Sequence, residues 1–301
     1  MFDVLTITSP IYIIVGLGFV FTRAGLFAKP DMRLFGKFVI NLALPALVFR
    51  ALSQRQLGEV LNPGYLVAYT VGALAVVGLG YTWARRVAGH SATASTFLAM
   101  GMSSSNSGFV GYPIMLLTLA PMAGVVLALN MLVENLVVIP LLLWLAERAK
   151  GTGDPWRALT QSLVRLATNP LFLALAAGLV ISATGWQLPA PVTRSIDLLA
   201  SASGALSLFV IGGTLVGLPL AGMGQRVMPV VLGKLLVHPL LVWGAVSALP
   251  WLGLDLSPEL RMAAVLSAAM PVMGIYPTLA QAHGQEDTSA AALMATTMAS
   301  F

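Results

Sequence analysis

Charge is what this chain of 301 residues lacks most: 9% of them are Asp, Glu, Lys or Arg, against about a quarter in an ordinary soluble domain. A soluble fold of this size could not cover its surface with so few. Cysteine is missing altogether, which excludes a disulfide framework, a thiolate metal site and a cysteine nucleophile. The sequence also has no phosphate-cradling P-loop, no G-x-S-x-G elbow and no histidine-rich metal set, so nucleotide hydrolysis, serine hydrolysis and metal catalysis lack their usual residues. The expectation is a protein that is not an enzyme, with no catalytic residue, no metal and no cofactor other than H+ or Na+ as a coupling ion.

What the chain has instead is apolar length. Hydrophobic residues make up 58% and the mean hydropathy is +0.89, the signature of an all-α polytopic membrane protein whose outer face is covered by lipid. Apolar runs lie at about 5–22, 34–51, 65–84, 92–118, 122–146, 163–182, 195–218, 227–249 and 260–282, with a tenth from about 288. Most can cross ~30 Å of hydrocarbon at 1.5 Å per residue, whereas 288–301 would reach only ~21 Å, so the last span reads as truncated at Phe301. Asp3 and the absence of a basic leader or a small-residue cleavage site before Arg23 make the first run a retained helix. The net charge of +5 comes from 16 Lys and Arg placed mainly in short loops, which topology explains better than a nucleic-acid partner.

The chain resembles itself. Residues 7–25 align without gaps on 167–185, with identities at Thr8/Thr168, Pro10/Pro170, Gly18/Gly178, Val20/Val180 and Gly25/Gly185, and Tyr112-Pro113 aligns with Tyr276-Pro277. Two five-span halves, 1–150 and 151–301, follow. Because five is odd, the second half enters the membrane from the other side, giving an inverted repeat. With the N-terminus outside, eleven basic residues fall in cytoplasmic loops (Arg23, Lys29, Arg33, Lys37, Arg85, Arg86, Arg148, Lys150, Arg157, Arg165, Arg226) and four outside (Arg50, Arg55, Arg194, Arg261). That asymmetry favours N-out, and a completed tenth span would put the C-terminus outside too.

Polar chemistry concentrates at a few places inside the runs. The fourth is interrupted by Ser103-Ser104-Ser105-Asn106-Ser107-Gly108 and then Gly111-Tyr112-Pro113; the ninth carries Pro271-Val272-Met273-Gly274-Ile275-Tyr276-Pro277 at its middle. Proline and glycine predict two broken helices, and broken backbone at bilayer depth survives only against protein or a water-filled cavity. Matched breaks in two halves point to a transporter site, where half-helix N-termini face an anion; kinks used only for packing are the alternative. Glu134 stands mid-span with Asn130 one turn earlier, either carrying a coupling proton or accepting hydrogen bonds from the broken fourth helix. Lys234 and His238, four apart, share a face of the eighth run. They either face a cavity and attract an anion, with His238 titrating, or Lys234 snorkels and His238 packs. Asn41 and Pro45 sit one turn apart on the second run and could line the same cavity, whereas the small residues of the seventh suit close packing.

Asn41-Leu-Ala-Leu-Pro45, SNSGFVGYP ending at Pro113, KLLVHPLL from Lys234 and MPVMGIYPTLAQ from Met270 resemble the bacterial branch of the auxin efflux carrier family over essentially the whole chain. The resemblance implies ten transmembrane helices in two inverted five-helix repeats, a scaffold plus a transport domain, and elevator-type alternating access. It also implies broken helices 4 and 9 crossing near Pro113 and Pro277, with the substrate carboxylate close to Asn106. The KLLVHP element is similar to members that carry malonate or other dicarboxylates. Met270 stands where the first half has Asn106, and the third run lacks the acidic residue of the plant carriers.

The function expected is secondary active transport of a small organic anion, a mono- or dicarboxylate such as malonate, across the bacterial inner membrane, with the lipid bilayer as the other partner and a homodimer through the scaffold domain compatible with it. Substrate binding is assigned to Asn106, Ser105, Ser107, Gly111, Pro113, Pro271, Gly274, Tyr276, Pro277, Asn41 and Lys234, and coupling to Glu134 and His238. The alternative is a sodium-coupled symporter of bile-acid-carrier type, with Ser104, Ser105, Asn106, Glu134 and unwound carbonyls around the ion.

Overall fold

A computed structural model describes residues 2–55, 61–150, 155–217 and 224–300; the boundary at 150/151, Met1 and the stop at Phe301 lie at or outside those limits. Among the described residues the regular elements are helices, in chain order α1 (Phe2–Arg23), α2 (Lys29–Phe38), α3 (Leu44–Ser53), α4 (Pro63–Arg86), α5 (Ala92–Ser103), α6 (Tyr112–Thr118), α7 (Ala123–Val133), α8 (Ile139–Lys150), α9 (Pro155–Ala167), α10 (Pro170–Thr184), α11 (Ala190–Thr214), α12 (Gly224–Leu232), α13 (His238–Ala248), α14 (Pro258–Ala268), α15 (Tyr276–Gln281) and α16 (Glu286–Ser300). Several are joined end to end. Lys29–Ser53, Pro63–Arg86, Ala120–Ala149, Ala190–Thr214 and Val227–Leu252 are long and apolar enough to cross a membrane, and Ser9–Arg23, Ser107–Thr118 and Pro170–Thr184 are shorter apolar helices. Large side chains such as Leu198, Leu240 and Trp243 stand exposed along them, the outer face of a multi-pass membrane protein.

Four joints are single wide turns of π-helix: Val39–Ala43, Ser107–Gly111, Glu134–Val138 and Gly233–Val237. Each ends two residues before a proline, at Pro45, Pro113, Pro140 and Pro239. Proline has no N–H to give and its ring clashes with the carbonyl four residues back, so the turn before it widens and hydrogen bonds run five residues back instead. Leu44, Ile139 and His238 donate in this way to the carbonyls of Val39, Glu134 and Gly233. Three of the widened turns hold the intramembrane polar residues singled out by sequence, Asn41, Glu134 and Lys234.

One expectation about the runs changes. The run 163–182 is not one helix: the Asn169 side chain accepts from Leu171 N at 2.9 Å and Pro170 opens α10, a combination that starts helices. The segment before it, with charged and apolar residues mixed, forms α9. The interruptions of runs four and nine are real breaks. Helical geometry stops at Ser103 and again at Ala268.

Packing groups the chain into two compact units. Unit one comprises Met1–Asn62, Gly108–Leu129 and Ala167–Leu218; unit two comprises Pro63–Ser107, Asn130–Leu166 and Pro219–Phe301. Each draws on both sequence halves, so neither coincides with 1–150 or 151–301. Within unit one, α1 lies against α11 and α10 against α3. A methyl on Gly18 would strike the Phe209 carbonyl, one on Gly212 the Val15 carbonyl, and one on Gly178 would crowd Leu52 and Phe49. The aligned pair Gly18/Gly178 thus does the same job twice, and the aligned pair Gly25/Gly185 closes each helix with a positive φ, 81° and 65°. Pro10 and Pro170 differ: the first is inside α1, the second at the first turn of α10. In unit two, α4 packs on α5 and α13, with Gly72 against Val242.

Small residues let membrane helices approach closely where no hydrophobic force drives them together. Gly18→Ala is therefore expected to destabilise the protein by about 1–3 kcal/mol, the usual overpacking cost. Gly16→Ala, two residues away with nothing within 4 Å of the added methyl, is expected to be neutral. Thermal unfolding in detergent reads both; equal melting of the two variants would remove Gly18 as the contact that sets the spacing.

Candidate functional site

Breaking a helix at membrane depth leaves backbone N–H and C=O groups that lipid cannot satisfy. In unit two the breaks satisfy one another first. Ser105 and Val272 form an isolated antiparallel bridge, and Asn106 N donates to the Pro271 carbonyl at 2.8 Å. The two interrupted stretches therefore meet at Ser105-Asn106 and Pro271-Val272, upstream of each Tyr-Pro pair. Val272 N donates to Thr296 Oγ1 at 3.3 Å.

The deep charges answer what remains. Ser105 N donates to Glu134 Oε1 at 3.0 Å. The Ala268 carbonyl, left over at the end of α14 because Val272 N has turned to Thr296, accepts from Lys234 Nζ at 2.5 Å. Lys234 spends its other two protons on Ser105 Oγ at 2.8 Å and His238 Nδ1 at 3.0 Å. Nδ1 must then be the accepting nitrogen, which puts the imidazole proton on Nε2. The Tyr69 hydroxyl lies 3.1 Å from Ser105 Oγ and 3.3 Å from Glu134 Oε1. With its one proton given to the carboxylate, it accepts from Ser105. No direct ion pair joins Lys234 to Glu134 among the described residues; Ser105 bridges them, taking the cation on its hydroxyl and giving its backbone N–H to the carboxylate. Burial is complete or nearly so: Lys234 and His238 are 0% exposed and Glu134 5%.

A second layer sits beside the first. Tyr65 stacks on Tyr69 with ring centroids 5.9 Å apart and donates to Asn130 Oδ1 at 2.7 Å, while Asn130 Nδ2 donates to Ser267 Oγ at 2.8 Å. The Tyr69 and His238 rings are 5.9 Å apart. Ser104 Oγ, in the break, and His238 Nε2 are buried with no hydrogen-bond partner among the described residues. Buried polar groups are nearly always paired, so orphaned atoms in a broken helix and a polar cluster mark a place for a ligand or water.

The structure brings Ser105, Asn106, Glu134, Lys234, His238 and Pro271 together. Ser107 is buried beside them; Tyr276 belongs to the same unit but directs its hydroxyl to the Phe97 carbonyl at 2.6 Å. Gly274 is exposed and Pro277 half-buried. Asn41, Gly111 and Pro113 fall in unit one. Asn41 is exposed and its amide donates to the Lys37 carbonyl at 2.7 Å within its own helix. Snorkelling of Lys234 is overturned by its burial and its three acceptors. Sequence reasoning passed over Tyr65, Tyr69, Ser267 and Thr296. The i, i+4 spacing of the two tyrosines is the signal that could have found them, since buried tyrosine hydroxyls seek partners.

The chain matches the family described as membrane transport protein over residues 3–301. A protein of Rhizobium meliloti (strain 1021) named "Putative malonate transporter" is 26% identical over 299 residues, 98% of this chain and 92% of that protein. "Uncharacterized transporter YfdV" of Escherichia coli (strain K12) is 25% identical over 213 residues, 68% of this chain and 67% of its own. An "Uncharacterized transporter" of Methanothermobacter thermautotrophicus is 31% identical over 108 residues, 35% and 34% of the two chains.

Removing one member of a buried charged pair strands the other. Lys234→Met is expected to destabilise the protein by about 3–5 kcal/mol. Adding Glu134→Gln to it should restore part of the loss, because the carboxylate no longer needs a counter-charge. A double-mutant cycle on thermal or denaturant unfolding in detergent measures the coupling; simple additivity would mean that Ser105 does not link the two charges.

Proposed function

The chain belongs to the membrane transport protein family, the auxin efflux carriers that its motifs resemble, and from that premise we propose that it is a secondary carrier of a small organic anion, a mono- or dicarboxylate such as malonate. The observation that carries the proposal is the hydrogen-bonded meeting of two broken helices, with orphaned Ser104 Oγ and His238 Nε2 buried in the same unit. Asn106, half-buried at the crossing, is the polar contact for the substrate carboxylate, and Ser105, Ser107, Pro271, Gly274, Tyr276 and Pro277 shape its surroundings. The chain is not an enzyme in this reading, since no step breaks a covalent bond.

Ten spans in two inverted repeats, N-terminus and C-terminus outside, in a bacterial inner membrane, remain the topology we propose. The interleaved units support an elevator mechanism: unit two, with the breaks, is the transport domain, and unit one the scaffold through which two copies pair. Asn41, Gly111 and Pro113 belong to unit one. For the coupling ion we infer H+, handled by Glu134 and His238. A sodium ion among Ser104, Ser105, Asn106 and Glu134 would sit beside an ammonium already bound to Ser105, and like charges at that distance repel strongly in a medium of low dielectric.

Uptake of labelled malonate into proteoliposomes is expected to rise when the side of entry is made acid and to be unchanged when K+ replaces Na+. Asn106→Ala should lower uptake roughly tenfold, the order expected for one lost hydrogen bond to a charged group, while Leu240→Ala on the exposed apolar face leaves it intact. Sodium dependence would favour the symporter alternative, and full activity of Asn106→Ala would take that residue out of the site.

A further inference from the structure

Unit one holds a polar cavity of its own. It has a volume of about 690 Å³ and is lined by Arg50, Gln54, Arg55, Tyr112 and Asp197 among others. That is within the usual size of small-molecule sites. Two guanidinium groups against one carboxylate give it a net positive charge.

The two arginines are held differently. Arg55 is tied into the wall: it donates to the Pro121 carbonyl and reaches Met122 Sδ at 3.9 Å, and its own carbonyl accepts from Ser182 Oγ at 2.5 Å. Arg50, in the last turn of α3, has one recorded partner, Asp197, with 3.6 Å between Nη1 and Oδ1. A closed Arg–carboxylate pair lies at about 2.7–2.9 Å and is often bidentate, so this pair is open. Both side chains are partly exposed, 32% and 43%. A second cavity of about 220 Å³ shares Arg50, Gln54 and Asp197, so the pair stands as a partition between two open spaces and not as a packed contact. Arg50 carries five donors and lines both spaces with one loosely held acceptor.

We propose that this cavity is a recruitment site for a small carboxylate, with Arg50 as its anchor and Asp197 as the internal carboxylate that the incoming one displaces. The proposal rests on the carrier reading for its role in transport, and on the cavity alone for binding. An internal competitor makes the site weak, as an entry point must be: a carboxylate held too tightly here would not move on. The lining comes from the C-terminal half of α3, from α6, from the turn between α6 and α7 with the first turn of α7, and from Asp197 on α11; by the count of basic residues Arg50 and Arg55 lie on the outer side.

The two partners give opposite signatures, which separates a binding site from a structural ion pair. Malonate is the probe, measured by the thermal shift it gives the purified protein in detergent and by the KM of proteoliposome uptake. Arg50→Gln is expected to weaken malonate binding and raise KM roughly tenfold. Asp197→Asn is expected to strengthen binding several-fold, because it removes the competitor and a repelling charge. Arg261→Gln, which breaks the exposed pair with Asp255, controls for loss of one surface cation and should change neither. Shifts of Arg50→Gln and Asp197→Asn in the same direction, or none in either, would overturn the proposal. Wild-type protein that shows a malonate shift sensitive to Arg50 but no uptake would overturn the carrier reading and leave the site standing. Uptake indifferent to both variants would do the reverse, and no shift at all with the wild type would overturn the site.

Discussion

Lys234 has three protons to donate and no water-facing surface, so three acceptors must be built around it, and the rest of unit two is arranged to supply them. An ammonium in the middle of a span is costly even on the mildest insertion scales, ~2.5–3.5 kcal/mol. Its acceptors come from three separate places: a serine in the break after α5, a histidine one turn along its own helix, and a carbonyl at the end of α14. The carbonyl is free because α14 stops before Pro271. The break creates the acceptor and the lysine uses it. Glu134 does the complementary work on the other broken helix by accepting from Ser105 N. The two charges thus cap the two breaks, one taking a stranded N–H and the other a stranded C=O, and their sum is zero.

This reciprocity explains why the deep polar residues stand beside prolines. A proline two residues past Ala43, Gly111, Val138 or Val237 forces the preceding turn wide, and a wide turn moves the residues within it off the regular helical face. Glu134 opens one such turn and Lys234 is second in another. Had the helices been regular, the i, i+4 ladder would have used the carbonyls of these turns and held each side chain to the 3.6-residue period. Function and fold are coupled at the level of single backbone hydrogen bonds.

How much of this could be read from the sequence follows from the same physics. Charges inside apolar runs are conspicuous because they are costly, so Glu134 and Lys234 stood out, and the four-residue spacing to His238 predicted a contact that is made. Prolines and serines within long runs exposed both breaks. What the sequence could not carry was the identity of partners distant along the chain. Ser105 looked like one of several serines, yet it links Lys234 to Glu134 across 129 and 29 residues. Tyr65 and Tyr69 read as ordinary members of an apolar run, because tyrosine is equally at home in packing and at interfaces. Asn41 had the right neighbours, Pro45 above all, but its amide turned back to its own helix. Side-chain amides have that local choice in any helix, and sequence does not say which is taken.

The two units treat a cation in opposite ways, and the contrast bears on how a carrier of anions would divide its labour. In unit two Lys234 is saturated: three acceptors within hydrogen-bond distance leave it nothing to offer a ligand without breaking the network that closes both helix breaks. Its contribution is to hold a shape and a neutral total charge at bilayer depth, where an uncompensated charge is hardest to tolerate. An anion bound next to so balanced a cluster adds a charge with no counterpart, and a proton arriving with it restores the balance; that is the electrostatic case for H+ over any ion that must bring its own coordination shell. In unit one Arg50 is loosely paired and partly wet, and in the recruitment site we propose it would exchange one carboxylate for another at little cost because water screens both states. Tight pairing belongs where the backbone is broken and water is excluded, loose pairing where water can reach both partners.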